Sequence, residues 1–227
     1  MNDSVLALIP ARSGSKSIPS KNFRLLAGQS PLERAVRVAH AVTSQVVVSS
    51  DVEPGAAVPW SDCAGASFRW LDRPAHLATD EASMIDVVKH ALEAIPGPPE
   101  QIVVLLQPTQ PLRTPLHIQK AIRLLQDTGA DSVVSLVRLP ATHHAIFQCA
   151  IDGWQVVGQQ WDAVTRRQDV GPVYIRDGTV YAFRRQTVLQ YGSLYGRSIT
   201  ALPIPPEETC PLDSPNDWAE AERRLTR

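Results

Sequence analysis

From Val5 to Val137 the chain alternates between short apolar runs and amphipathic stretches long enough to form helices. VLALIPA, QVVVSSD, FRWLD, IVVLLQPT and SVVSLV are the runs, interspersed with SPLERAVRVAHAV, SMIDVVKHALEAI and PLHIQKAIRLLQDTG. A strand that reaches its successor through a helix needs a crossover, so this order implies a parallel sheet with helices on both faces. Stretches without polar interruption, such as Ile102 to Leu106, fit strands buried on both sides. Helix starts are legible as well. Ser30-Pro31 with Glu33, Thr114-Pro115, and Ser214-Pro215 with Asp217 each set a capping hydroxyl before a first-turn proline.

The expectation is an α/β fold in a single domain over residues 1–227, a length that buries a substantial core without division. Residues 140–178 break the rhythm and read as an insertion, an arm that packs on a second copy of the chain. Phe147, Trp154 and Trp161 within it read as inter-subunit contacts and not as base-stacking platforms, because no basic stripe accompanies them.

Charge narrows the partners. Twenty-two Lys and Arg face 23 Asp and Glu, a net charge of −1, so no general basic field draws in a nucleic acid or an anionic membrane. No apolar run approaches the roughly 18 residues of a membrane span. Cys63, Cys149 and Cys210 are odd in number and far apart, which argues against a disulfide framework and fits a cytoplasmic protein.

Ligands of open parallel sheets bind beyond the carboxyl ends of the strands. Four polar segments occupy such places: ARSGSKSIPSKN, the SSD ending at Asp51, RPAHLATDEAS and QPTQPLR. The first joins Arg12, Lys16 and Lys21 to a loop of small residues, Ser13, Gly14 and Ser15, which suits an anion. It is not a nucleotide-hydrolase P-loop, because Ser15 stands where that motif needs glycine before Lys16. Backbone N–H groups and two or three cations can still cradle a polyphosphate. Taken alone, the loop fits a solvated basic turn equally well. His143-His144 has no third ligand nearby and reads as a loop feature; Asp51 receives no assignment.

Taken as a set, the segments carry more. IPARSGSKSIPSKN, VVVSSD, RPAHLATDEASMIDVVKHAL, LLQPTQPLR, RRQDVGPVYIRDGTVYAFRR, GSLYG and LDSPNDWAEAE closely resemble, in the same order, the motifs of the acylneuraminate cytidylyltransferases, which activate sialic acids. The resemblance spans nearly the whole chain. It implies a Rossmann-like three-layer αβα domain with a mostly parallel sheet, an arm exchanged across a homodimer, and transfer of CMP from CTP to an acidic acceptor with release of pyrophosphate. It also implies Mg²⁺ or Mn²⁺ held by Asp213, although a carboxylate beside a helix N-terminus is favourable without a metal. By the same resemblance Arg12, Ser15 and Lys21 hold the triphosphate, with Ser13 and Gly14 in the cradle and Lys21 at the α-phosphate. Asn22, Arg73 and Ser83 face cytidine, and Gln107 the acceptor.

Two departures fall on the acceptor side. Relatives read Asp-Ile-Asp-Thr around the metal where this chain reads PLDS, so Pro211 replaces a carboxylate. Ile175 and Asp177 stand where an arginine and an asparagine are usual, which weakens a site for a sugar carboxylate unless Arg166, Arg167 or Arg176 compensates. A small phosphonate is therefore as good an expectation as a nonulosonic, sialic-type sugar acid. A Kdo-type acceptor fits less well, since its enzymes place an aspartate where Thr109 stands. The alternative from another class is a nucleotide-binding module of this fold that has lost catalysis.

Overall fold

The structure, a computed structural model, describes residues 4–53, 68–153, 155–158 and 166–226. Cys63, Trp154 and Trp161 lie outside the described residues, as does the side chain of Arg167. A seven-stranded sheet forms the centre, in the order β3-β2-β1-β4-β8-β5-β9. Its strands are β1 (Val5–Pro10), β2 (Gln45–Ser50), β3 (Arg69–Asp72), β4 (Ile102–Leu105), β5 (Ser132–Leu139), β8 (Val173–Arg184) and β9 (Ile199–Ile204). β1 pairs in parallel with β2 and β4, and β5 in parallel with β9, whereas β8 runs antiparallel to both β4 and β5. The expected mostly parallel Rossmann-like sheet is present, with one reversed strand inside it.

Five helices cover the sheet among the described residues: α1 (Pro31–His40), α2 (Met84–Ala94), α3 (Pro115–Thr128), α4 (Arg185–Tyr191) and α5 (Pro215–Leu225). Strand periodicity sorts the core into layers. Val5, Ala7 and Ile9 of β1 pack with Leu32, Val36, Ile118 and Leu125 of α1 and α3. Leu6 and Leu8 point the other way, onto Val88 and Leu92 of α2 and Val188 of α4. These five β1 side chains are essentially inaccessible, as a strand buried on both faces requires. A third cluster, Ile18, Leu26, Cys210, Leu212, Trp218 and Ala221, ties the long loop after β1 to the segment entering α5.

The caps expected at Ser30 and Ser214 form. Ser30 Oγ accepts from Glu33 N at 3.2 Å while Ser30 N donates to Glu33 Oε2 at 2.7 Å. Ser214 and Asp217 repeat this box at the start of α5.

Between β5 and β8 the chain leaves the sheet for a small hairpin, β6 (Ala150–Asp152) and β7 (Gln155–Val157). The excursion falls in the segment expected as an arm, but β8 already begins at Val173, so residues 173–178 belong to the sheet. No helix among the described residues is long and apolar enough to cross a membrane.

Candidate functional site

Strand order reverses at β1, whose neighbours β2 and β4 lie on opposite sides, and the loops leaving β1 and β4 meet there. They line two adjoining clefts. The first, about 300 Å³, is bounded by Arg12, Gly14, Ser15, Lys21, Asn22, Arg73, Met84, Gln107, Thr109 and Asp213. The second, about 390 Å³, is bounded by Gln107, Thr109, Val137, Leu139, Ile175, Arg176, Asp177, Gly178, Tyr181, Pro211 and Asp213. Gln107, Thr109 and Asp213 face both.

Cations dominate the first cleft. Lys21 Nζ donates to Leu212 O at 2.6 Å and stands 3.9 Å from Asp213 Oδ1. Burial lowers its pKa, and Asp213 opposes that shift. Arg73 is buried beneath the cleft, donating to Ser49 Oγ (3.2 Å) and Ser49 O (2.7 Å), and desolvation brings it down to about 10. Asn22 is fixed by its own amide, which donates to Arg12 O at 2.9 Å; its buried Oδ1 has no partner among the described residues. A base with both donors and acceptors on its edge could satisfy that atom.

Two carboxylates that the sequence left without a role brace the loop. Asp51, at the end of β2, accepts from Ser13 N at 2.7 Å and Ser13 Oγ at 2.6 Å. Asp80 receives Arg12 Nη2 at 2.5 Å and Lys16 Nζ at 2.8 Å, and these cations hold its carboxyl below the usual range. Both lie in segments flagged by the strand-end rule. Pairing residue 51 with 13, or 80 with 12, needs the third dimension. We expect Asp51→Ala to raise the KM for a nucleoside triphosphate about tenfold with little change in kcat, because a mobile Ser13–Ser15 turn must be ordered on binding; steady-state kinetics checks it.

Not every expected residue reaches a cleft. Ser83 is the N-cap of α2, its hydroxyl accepting from Asp86 N at 3.3 Å and donating to Asp86 Oδ2 at 2.6 Å. Arg166 pairs with Asp169 at 3.0 Å and lines neither cleft. Asp177 borders the second cleft, yet its carboxylate accepts from Thr179 N at 3.1 Å and from Thr179 Oγ1, which directs it into the strand. Asp213 differs: its side chain is 78 % exposed, because Asp217 supplies the cap of α5 instead. No cluster of three metal-ligating side chains occurs among the described residues. An exposed carboxylate beside an anion cradle nevertheless suits Mg²⁺, which takes one or two carboxylates and completes its shell with phosphate oxygens and water.

Fold and clefts together define a nucleotidyltransferase-type α/β protein: a sheet with its switch point at a cation-lined cleft, and a second cleft opening from it. The sequence profile of the cytidylyltransferase family matches residues 6–196, and the chain belongs to that family. It is 31% identical to CMP-N,N'-diacetyllegionaminic acid synthase of Legionella pneumophila, over 97% of this chain and 96% of that one. It is 29% identical to N-acylneuraminate cytidylyltransferase of Streptococcus agalactiae, over 94% of this chain but about half (51%) of that protein. The fold is shared with CMP:2-keto-3-deoxy-manno-octonic acid synthetase solved with CTP (TM-score 0.70, 16% identity, 98% of both chains). It is also shared with 4-diphosphocytidyl-2C-methyl-D-erythritol synthase of Anaerococcus prevotii (TM-score 0.64, 15% identity, 99% of this chain and 97% of that one).

Proposed function

We propose that the protein transfers CMP from CTP to an acidic small molecule bound in the second cleft, releasing pyrophosphate. One observation carries this reading: two clefts of different chemistry, one cationic and one largely apolar, meet at Gln107, Thr109 and Asp213. An acceptor oxygen in the second cleft attacks the α-phosphorus of CTP in the first; the new P–O bond replaces the bond to the β-phosphate oxygen. Such a displacement depends on alignment and charge neutralisation more than on covalent work by the protein. Arg12 and Lys21 neutralise the triphosphate, Gly14 and Ser15 offer backbone donors from a turn that Asp51 braces through Ser13, and Asn22 and Arg73 bound the cytidine side. Asp213 is the residue to hold Mg²⁺ or Mn²⁺, which when bound supplies further charge neutralisation at the phosphates.

The relatives' names point to a sialic-type sugar acid as acceptor. A small phosphonate is the second reading, favoured by the lining of the cleft. Its titratable groups among the described residues include no histidine, and Asp177 is occupied by Thr179. A phosphonate brings its own anionic oxygen nucleophile and needs no base to generate it.

Ile151, Val156, Val157, Tyr174 and Ile175 expose apolar surface along the hairpin and the start of β8. We infer that a second copy covers them, as a homodimer in the cytoplasm. The decisive assay follows pyrophosphate release with CTP and Mg²⁺ against a panel of sugar acids and phosphonates, with ATP, GTP and UTP as controls. CTP-specific release with one acid class establishes reaction and acceptor together. A protein that binds CTP yet releases nothing with any acid is a binding module.

A further inference from the structure

The reading of the second cleft as an acceptor site leaves open how one anionic molecule is held there. Among its described lining residues the cation is Arg176. Val137, Leu139, Ile175 and Pro211 give the cleft an apolar wall, and Asp177 and Asp213 are its carboxylates. Arg176 sits on the exposed half of β8, paired across to Leu136. A long side chain there would ordinarily sample many rotamers and lose that freedom on binding.

It is not left to do so. Arg176 Nη1 donates to the hydroxyl of Tyr195, and its guanidinium carbon lies 5.5 Å from the Tyr195 ring centroid. Tyr195 in turn packs edge-on against Tyr181, with centroids 6.5 Å apart and planes at 66°. The loop that carries Tyr195 is pinned residue by residue. Ser132 Oγ donates to Tyr195 O at 2.7 Å, and Tyr195 N donates to Ser193 Oγ at 3.1 Å. Gly196 has φ +67°, and a Cβ there would lie 2.3 Å from Asp131 Cβ. Asp131 accepts from Arg197 N at 2.7 Å and Ser198 N at 2.9 Å.

Charge is the second half of the argument. Arg12 and Lys16 face Asp80, Arg166 faces Asp169, and Arg223 and Arg224 face Glu220. Arg176 has no carboxylate within ion-pair distance among the described residues; its partner is a neutral phenol. The hydroxyl takes one N–H and leaves the other donors of the fork free for an anion.

We propose that Tyr195 is a positioning residue that holds Arg176 as the anion receptor of the acceptor cleft, and that the acceptor presents to it one anionic group flanked by an apolar face. A second anionic group would meet the aliphatic wall or the carboxylates of Asp177 and Asp213. Two measurements on the full chain test this. In the pyrophosphate assay, Arg176→Gln raises the acceptor KM at least tenfold and leaves the KM for CTP unchanged. Tyr195→Phe, which keeps the ring and loses the hydroxyl, raises it about threefold, and Tyr195→Leu approaches the effect of Arg176→Gln. Arg176→Lys recovers part of the loss, and the Arg176→Gln/Tyr195→Leu double variant is no worse than Arg176→Gln alone, as expected for residues acting as a unit. The second measurement needs no turnover. The Nε–Hε NMR signal of Arg176, assigned by its loss in Arg176→Gln, shifts on addition of methylphosphonate or N-acetylneuraminate, and the shift weakens in Tyr195→Leu. An unmoved signal in the wild type, or additive effects of the two substitutions on KM, overturns the proposal. A shift without pyrophosphate release under any condition overturns the reaction and leaves the receptor standing.

Discussion

Lys21→Ala is expected to lower kcat for pyrophosphate release by about 10³-fold, the usual scale for losing one preorganised group that meets transition-state charge, while leaving the fold intact. Lys21 suits that role because it is held on both sides. Its ammonium donates to Leu212 O at 2.6 Å, and Asp213 Oδ1 is 3.9 Å away, so it points into the cationic cleft without collapsing onto the acid. Burial lowers its pKa, which means that the folded chain carries the charge against a desolvation penalty. For a cation lowered in the folded state, stability rises with pH between the folded value and the ordinary lysine value of 10.5, because only the unfolded chain then holds the proton. Deleting the ammonium at neutral pH should thus leave the thermal midpoint unchanged or slightly raised. CTP affinity moves oppositely with pH: full while Lys21 is protonated, it weakens as pH climbs through the lowered pKa. Turnover within tenfold of wild type would remove Lys21 from the mechanism; a lost melting transition would assign it to folding instead.

Asp213→Ala should match Lys21→Ala in turnover through a separate cause, and the two are told apart by metal titration. Loss of Asp213 raises the Mg²⁺ concentration needed for half-maximal rate, whereas loss of Lys21 does not.

How much could be read in advance depended on whether the controlling signal was local. Strands β1, β2, β4 and β5 are continuous apolar runs, and the boxes at Ser30 and Ser214 are complete within four residues, so these elements were legible. β8 was not. Its first half, VYIRDG, exposes the apolar Tyr174 and Ile175 and buries the polar Asp177, and the pairing with β5 shifts register between Val134 and Leu136, so no period of two runs through it. α4 has seven residues, too few for a helical stripe to register.

The same division holds for the site. The loop after β1 was visible through its small and basic residues. The counter-charges Asp51 and Asp80 were not, because each acts on a residue at least 38 positions away. Ser83 and Asp177 show the converse. Matched by motif to cytidine and acceptor contacts, they engage Asp86 and Thr179, since a short polar side chain next to a free backbone N–H satisfies it first.

Arg113 is where a buried cation governs both clefts at once, and its replacement is the second large effect expected. The side chain is 5 % exposed and ties the loop leaving β4 to the bend of β8. Nε donates to Thr179 O, and Nη2 donates to Gln107 O at 2.5 Å and to Gly178 O at 3.3 Å. Gln110 adds a bond to Asp177 O and is itself held by Thr209 Oγ1 at 3.1 Å. Gly178 permits this closeness: at φ +76° it brings β8 so near that a Cβ would lie 2.6 Å from Gln107 Oε1. Burial pushes the guanidinium below its ordinary pKa, and Asp177 opposes the shift, so the charge is retained by its neighbours and not by water. Arg113→Leu fills the space but leaves three carbonyls without their donor, a loss of about 3–5 kcal/mol. For a chain of this length that is a fall of roughly 10 °C in thermal midpoint. Arg113→Lys keeps the charge but cannot reach three carbonyls from one planar fork, so it should recover less than half of that stability. Because Gln107 faces both clefts, Arg113→Lys should also raise the acceptor KM more than the KM for CTP, whose proposed site is lined mainly by the loop after β1. Calorimetry and steady-state kinetics on the two variants separate the effects. An Arg113→Leu protein that melts within 2 °C of wild type would show that the β4 loop and β8 hold together without this clamp.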